Sequence, residues 1–499
     1  MRESGILLPM ASLPSSWGIG SLGEEAFLFA DFLAAAGQSV WQVLPLTVPD
    51  FVHSPYASPS AFAGNPMLID PASLAEDGLI TAAEADPPAG AMAERVDYAF
   101  AAREKDRCLR RAYLSFRQSP SAEFDRFRER EAHWLSGYAL FAAVKGYYGG
   151  RPWWLWDDGI RMRREADIRR FREELAEEIG FTEFCQYIFE RQLGKLRDRL
   201  GARGITLMGD IPFYVAHDSA DVWENPSLFA LREDGSVRLA AGVPPDFFSA
   251  RGQLWGNPVY DWDRMAADGF DFWMRRLARC GAMYGALRLD HFRAFDSYYV
   301  IAGGAPDASA GEWREGPGRR FIDEVRRRMP GLILIAEDLG ELTPGVHALR
   351  RYAGIPGMRV MQFAFGGGAD DPFLPHNYDR NTAVYLGTHD NDTTAGWWDS
   401  IGTAERSRAA AYLGIGRRAS AKTAVRAMMR MASASAADRV IFTLADVGAA
   451  GSDARINTPG VGRGCWQYRA MVGFASERDA EFLREITEIY GRKRKSERD

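Results

Sequence analysis

Cysteine is scarce in this sequence, and what there is lies far apart. Cys108, Cys185, Cys280 and Cys465 are the only four in 499 residues, and no two have the spacing of a zinc site or of a disulfide framework. A reducing compartment, the cytoplasm, is the expectation. No stretch reaches the ~18 uninterrupted apolar residues of a membrane span, and the amino terminus carries Arg2 and Glu3 before a short apolar run. No membrane association is expected. An excess of positive charge is also missing: 61 basic against 67 acidic residues give a net charge of -6. Phosphate backbones require a basic face, so nucleic acid is excluded as the main partner.

What is present is a large globular composition, with 46% hydrophobic and 26% charged residues. Aromatic residues make up 12%; most fill the core of a large domain, and some are available to stack on flat apolar faces such as sugar rings.

Apolar runs of strand length recur, and several stop abruptly on a carboxylate. Ala286-Leu-Arg-Leu-Asp-His-Phe-Arg293 ends on Arg288, Asp290 and His291. Leu332-Ile-Leu-Ile-Ala runs into Glu337 and Asp338, and Ala383-Val-Tyr-Leu-Gly-Thr runs into His389, Asp390 and Asn391. Taken singly, such acids are solvated loop residues or helix caps. In series, at the ends of strands separated by helices, they mark the catalytic rim of a barrel. Strands near Ile6, Val40, Ile205, Leu287, Leu332, Val360, Val384 and Val440 number eight, and the fold class expected is an α/β (β/α)8 TIM-type barrel with inserted helical subdomains. Residues 23–37 have helical periodicity ending on glycine and join the first two strands as a βαβ unit.

Two segments interrupt this alternation. Residues 74–204 are rich in Arg and Glu and read as an inserted helical subdomain with solvated faces. That leaves residues 1–73 as the start of the barrel and 205–499 as its remainder. Thr47–Pro71, with Ser54-Pro-Tyr-Ala-Ser-Pro at its centre, and Gly242–Pro258, which carries Gln253, Trp255 and Asn257, read as two long loops shaped by glycine and proline. Either is long enough to cover a cleft.

Asp290, Glu337 and Asp390 at neighbouring strand ends suit chemistry at a glycosidic bond. In a retaining mechanism one carboxylate attacks the anomeric carbon and a second, ~5 to 5.5 Å away, protonates the leaving oxygen. Arg288, two residues before Asp290 on one strand face, is expected to keep Asp290 ionised. Glu337, after an apolar run and next to Asp338, is expected to have its pKa raised by desolvation and like charge, as a general acid needs. Asp390 is left to bind hydroxyls and stabilise positive charge. A divalent-metal site built from the same acids stays open on these grounds, as does a non-catalytic sugar-binding protein on an enzyme scaffold.

Combined motifs narrow this. Ser4-Gly-Ile-Leu-Leu-Pro9, Ser54-Pro-Tyr56, Ser60-Ala-Phe-Ala-Gly-Asn-Pro66, Gly209-Asp-Ile-Pro212, Asp218-Ser-Ala-Asp-Val-Trp223, Gly242-Val-Pro-Pro-Asp246, Gly252-Gln-Leu-Trp-Gly-Asn-Pro258, Arg288-Leu-Asp-His-Phe-Arg293, Ala336-Glu-Asp-Leu-Gly340, Gly387-Thr-His-Asp-Asn-Asp392 and Asn457-Thr-Pro-Gly460 occur in that order. The sequence thereby resembles the 4-α-glucanotransferases (amylomaltases, disproportionating enzymes), a branch of the α-amylase superfamily. The resemblance implies transfer of α-1,4-glucan segments by double displacement, with α-1,4-glucans and maltooligosaccharides as partners and no metal or organic cofactor; hydrolysis of the same bond is the alternative. It implies Asp290 as nucleophile, Glu337 as general acid/base and Asp390 as transition-state stabiliser. Tyr56, Asp210, Gln253, Trp255, Arg288, His291, His389 and Asn457 become the expected substrate-binding and orienting residues. Departures from the family pattern fall at Thr47–His53, Phe247, Arg251 and Cys465, none of them on the three acids.

Overall fold

The computed structural model describes residues 2–91, 94–245, 249–474 and 476–493. Asp246 and Phe247 lie outside them, as does the charged tail from residue 494. Twelve strands are numbered in chain order: β1 (Glu3–Leu7), β2 (Val40–Gln42), β3 (Thr206–Ile211), β4 (Leu239–Val243), β5 (Gln253–Pro258), β6 (Ala286–Leu289), β7 (Ser297–Ala302), β8 (Gly311–Glu315), β9 (Leu334–Ala336), β10 (Gly357–Val360), β11 (Thr382–Tyr385) and β12 (Arg439–Thr443). Eight form a closed parallel barrel in the order β1-β12-β11-β10-β9-β6-β3-β2, and they are the eight anticipated from the apolar runs.

Burial on both sides explains why those runs are continuous rather than alternating. Leu7, Val40, Met208, Ala286, Ile335, Met358, Val360, Ala383, Tyr385 and Ile441 fill the interior of the barrel. Their strand neighbours, such as Ile6, Trp41, Leu207, Leu287, Val384 and Val440, face the surrounding helices. Small residues set the closest approaches: a Cβ on Gly5 would stand 2.5 Å from both Cβ and the carbonyl oxygen of Val40, so β1 and β2 pair at this distance only because position 5 has no side chain.

The helices Pro71–Glu76 through Ala176–Gly201 all lie between β2 and β3. The last of them enters β3 and packs on the helix Glu24–Ala35, where Arg199 and Arg203 both reach Asp31. This helix also fixes the Pro- and Ser-rich segment after β2. Gln186 donates to Gly64 O and accepts from Gly64 N–H at 2.9 and 2.8 Å. Gln192 does the same for Asp70 at 3.0 and 2.7 Å. Buried Lys105 donates to Met67 O, Ile69 O and Ser21 Oγ. Buried backbone groups of a loop without sheet partners are thus satisfied by side chains.

One sequence expectation needs correction. Gly242–Pro258 is not one long loop: β4 and β5 pair within it and join β7 and β8 in a four-stranded antiparallel sheet of order β5-β4-β7-β8. Glycine and proline weaken strand patterns, but here Gly242 sits where a Cβ would collide with Gln253 O at 2.2 Å, so the glycine permits the pairing rather than breaking it. The last barrel strand stops at Thr443, and Asp446 belongs to the helix Leu444–Gly448, where it forms a capping box with Thr443. Strand β10 likewise gives way to a 3-10 turn at Met361–Phe363.

Candidate active site

Parallel register assembles the site. Asp210 on β3 is paired directly with Arg288 on β6, and Leu289 of β6 is paired with Ala336 of β9. One residue beyond that second pair the chains carry Asp290 and Glu337, side by side at the carboxyl ends of their strands, where this fold places its chemistry.

Arg288 is the only cation in direct contact with the acids among the described residues. Its Nη1 lies 2.9 and 2.7 Å from the two oxygens of Asp210 and 2.9 Å from Asp290 Oδ1, and its Nε points to Met358 Sδ. Arg288 and Asp210 are fully buried, whereas the Asp290 side chain keeps 30% of its surface open to the cleft. After Asp290 the backbone turns through a left-handed conformation at His291, φ 50°, costing ~1 to 2 kcal/mol. That turn aims the His291 N–H at Glu337 Oε2, 2.8 Å away, while Leu339 N–H donates to Oε1 at 3.1 Å.

These surroundings raise both carboxyls. Burial is the largest cause at Asp290, where Asp210, Glu337 and Asp390 add repulsion and Arg288 opposes it. Arg288 thus favours the ionised form of Asp290, as expected, without bringing its carboxyl down to the ordinary range. One guanidinium divided between two carboxylates does not offset their desolvation and the negative neighbours. Glu337 is raised by burial, against Arg288 and its two backbone donors. Asp338 contributes least of these causes because it turns away, accepting from Met358 N–H at 2.6 Å and lying 3.1 Å from Arg350 Nε. Both carboxyls thereby favour their protonated forms more than an exposed carboxyl does, and Glu337 is one of the charges that raise Asp290.

Asp390 follows β11 at the rim, with 42% of its side chain exposed. Asn457 Nδ2 donates to its Oδ1 at 2.6 Å, and His389 Nε2 stands 3.4 Å from Oδ2. Asn391 is turned elsewhere, accepting from Thr388 N–H and Oγ1–H. Tyr56 links the two halves of the site: its hydroxyl donates to Asp210 Oδ2 at 2.8 Å and lies 3.0 Å from His389 Nε2, with the two rings stacked 5.4 Å apart. Trp466, adjacent to Cys465, packs against both rings. Burial pushes His291 down to about 3 and lowers His389 despite Asp390, so both imidazoles are neutral hydrogen-bonding groups rather than cations.

Trp255 projects from β5 with 38% of its surface exposed. Its ring meets His291 edge-on at 5.0 Å, and its Nε1–H donates to Gln253 Oε1 at 3.1 Å. The structure thus brings Tyr56, Asp210, Arg288, Asp290, His291, Glu337, His389, Asp390 and Asn457 into one cluster, with Trp255 against its His291 edge and Gln253 on Trp255. Sequence reasoning passed over Arg455, whose Nη2 reaches Asp390 O at 2.9 Å. It passed over Met358, which lines the guanidinium. Neither carries a strand-end signal.

A parallel barrel whose rim holds two carboxyls on adjacent strand ends, a third acid and exposed aromatic surface is an enzyme of the class that cleaves and remakes glycosidic bonds. A family model described as 4-alpha-glucanotransferase matches residues 8–473. The chain is 44% identical to a 4-alpha-glucanotransferase of Thermus thermophilus, covering 98% of each, and 42% identical to one of Synechocystis, covering 99% of this chain and 98% of that. Among solved structures, an amylomaltase from Streptococcus agalactiae in complex with acarbose superposes with a TM-score of 0.96 at 36% identity, over 99% of this chain and 100% of that one. The chain belongs to the 4-alpha-glucanotransferase family.

Proposed function

We propose that this enzyme moves α-1,4-linked glucan segments from a donor maltooligosaccharide to the 4-OH of an acceptor glucose or glucan, by two displacements with net retention. Asp290 Oδ bonds to the anomeric carbon as the bond to the leaving 4-oxygen breaks, and the Glu337 proton passes to that oxygen. In the second step the acceptor 4-OH gives its proton to Glu337 while its oxygen bonds to the anomeric carbon and releases the Asp290 carboxylate. Asp390 supports the oxocarbenium-like charge from across the same rim, and neutral His291 and His389 hold hydroxyls. Trp255 offers an aromatic face to a sugar ring. Residues 74–204 serve as an inserted helical subdomain that braces the Tyr56 segment.

The observation that carries this reading is the placement of Asp290 and Glu337 on adjacent strand ends, one carboxyl on Arg288 and the other on two backbone N–H groups. The relative bound to acarbose supports an α-glucan as substrate. Among the described residues no helix is long and apolar enough to cross a membrane, and all four cysteines are free and buried, which fits work in the cytoplasm. Incubation of the protein with maltotriose alone tests the activity. A ladder of longer maltodextrins with released glucose and no net gain in reducing ends is expected; glucose and maltose with rising reducing ends would identify a hydrolase instead.

A further inference from the structure

The Asp390 side chain is more open than that of Asp290, and among the described residues it makes no ion pair with an arginine or lysine. Its position rests on a short chain of hydrogen bonds that passes through one residue with no assigned role. Arg455 Nη2 donates to the backbone carbonyl of Asp390 at 2.9 Å, and Arg455 Nε donates to the carbonyl of Asn457 at 2.7 Å. Asn457 in turn gives its side-chain amide to Asp390 Oδ1 at 2.6 Å and its backbone N–H to His389 O at 3.0 Å. The ring closes: Asp390 carbonyl, Arg455, Asn457, Asp390 carboxylate.

We infer that Arg455 is a positioning residue for the reaction, one that acts through Asp390 and touches neither donor nor acceptor. The inference rests on the role proposed above for Asp390. A planar guanidinium carries its donors in a fixed fork, so Nε and Nη2 set the distance between the 390–391 peptide and the 455–457 segment; a lysine ammonium has one nitrogen and no such fork. The segment is also anchored from its far side. Trp466 N–H donates to Ile456 O at 2.6 Å, the Trp466 ring lies on Tyr56 and His389, and Tyr98 O–H donates to Trp466 O at 2.8 Å. Arg455 therefore sits where one loop, residues 455–466, grips the strand end bearing His389 and Asp390.

Misplacement of a catalytic group by an ångström costs about 100-fold, so R455M is expected to lower kcat for maltotriose disproportionation by about 10- to 100-fold. Asn457 and the aromatic groups remain, so KM should stay within about threefold and the melting temperature within a few degrees. R455K, with one donor position, should fall between wild type and R455M. The decisive comparison uses D390N, with α-maltosyl fluoride as donor, whose leaving group needs no protonation, so that low rates are readable. On D390N, R455M should cost less than about threefold more, because the group it positions is already disabled. A wild-type kcat for R455M, or a loss that multiplies in full on D390N, would overturn the inference. Should R455M not fold, R455K carries the same cycle. A D390N enzyme with the wild-type rate would instead defeat the proposed role of Asp390, leaving the two failures distinguishable.

Discussion

Replacing Arg288 by methionine separates the structural from the chemical job of the cation shared by Asp210 and Asp290. Methionine follows a similar path beside Met358 and keeps the packing, but it leaves two carboxylates without their cation, one fully buried and one 30% exposed. Breaking a buried pair costs about 3–5 kcal/mol. For 499 residues at ~2.1 cal/mol/K each, the unfolding entropy is about 1 kcal/mol/K, so the midpoint should drop by about 3–5 °C at neutral pH. The pH dependence fixes the cause. With Arg288 gone, the folded pKa of Asp290, already raised by burial, moves further above its unfolded value, and the folded variant holds a proton the unfolded chain has released. Its deficit is therefore largest at neutral pH and closes as pH falls toward the unfolded carboxylate value near 4. Activity must run the other way. A protonated Asp290 cannot attack, so kcat should fall at least ~100-fold at neutral pH, and the residue of activity should rise with pH. Melting by circular dichroism from pH 5 to 8, together with maltotriose kinetics over the same range, reads both slopes. A melting deficit independent of pH, or a kcat near wild type, would refute the account of Arg288 as the divided counter-ion.

Three further outcomes follow from other contacts. E337Q should lose at least ~100-fold in kcat on maltotriose. It should also abolish the alkaline limb of the pH profile, which belongs to Glu337 as the acid, and leave the acid limb, which belongs to Asp290 ionising beside a neutral neighbour, near its wild-type position; titration of kcat/KM measures both. Y56F removes a donor to buried Asp210 and a partner of His389, and the loss of a hydrogen bond to a charged group, about 1.5–3 kcal/mol, should appear as a roughly 10- to 100-fold drop in kcat/KM. G5A forces a methyl group into Val40 at 2.5 Å; overpacking of about 1–3 kcal/mol should lower the melting midpoint while leaving the maltodextrin ladder of the folded enzyme unchanged.

What was legible in the chain, and what was not, divides along a physical line. The eight barrel strands were readable because a parallel strand buried on both faces must be apolar throughout, and because a run such as Leu332–Ala336 ends where its chain emerges at the rim. The three acids were readable for the same reason. The antiparallel sheet was not. Its β4 and β5 carry Gly242, Gly256 and Pro258, residues that signal a loop in isolation, and only the Gln253 carbonyl, closer to Gly242 than any Cβ allows, reveals why glycine serves a strand there. Arg455 was hidden because a side chain that binds carbonyls leaves no pattern of charge pairing in the sequence.

The protonation states mark the deepest limit. Arg288 precedes Asp290 by two residues, and along one strand that spacing reads as an exclusive ion pair. Across the β3–β6 register, however, Asp210 stands directly opposite Arg288 and receives two of its three short contacts. The sharing is useful to the chemistry proposed here. An Asp290 paired alone with a buried arginine would be a stable anion, reluctant to bond to carbon. With the cation divided and Glu337 and Asp390 adding repulsion, the charge on Asp290 is held loosely. Forming the bond to the anomeric carbon would remove it from a crowded negative site, and breaking that bond requires an acceptor oxygen whose proton Glu337 can take.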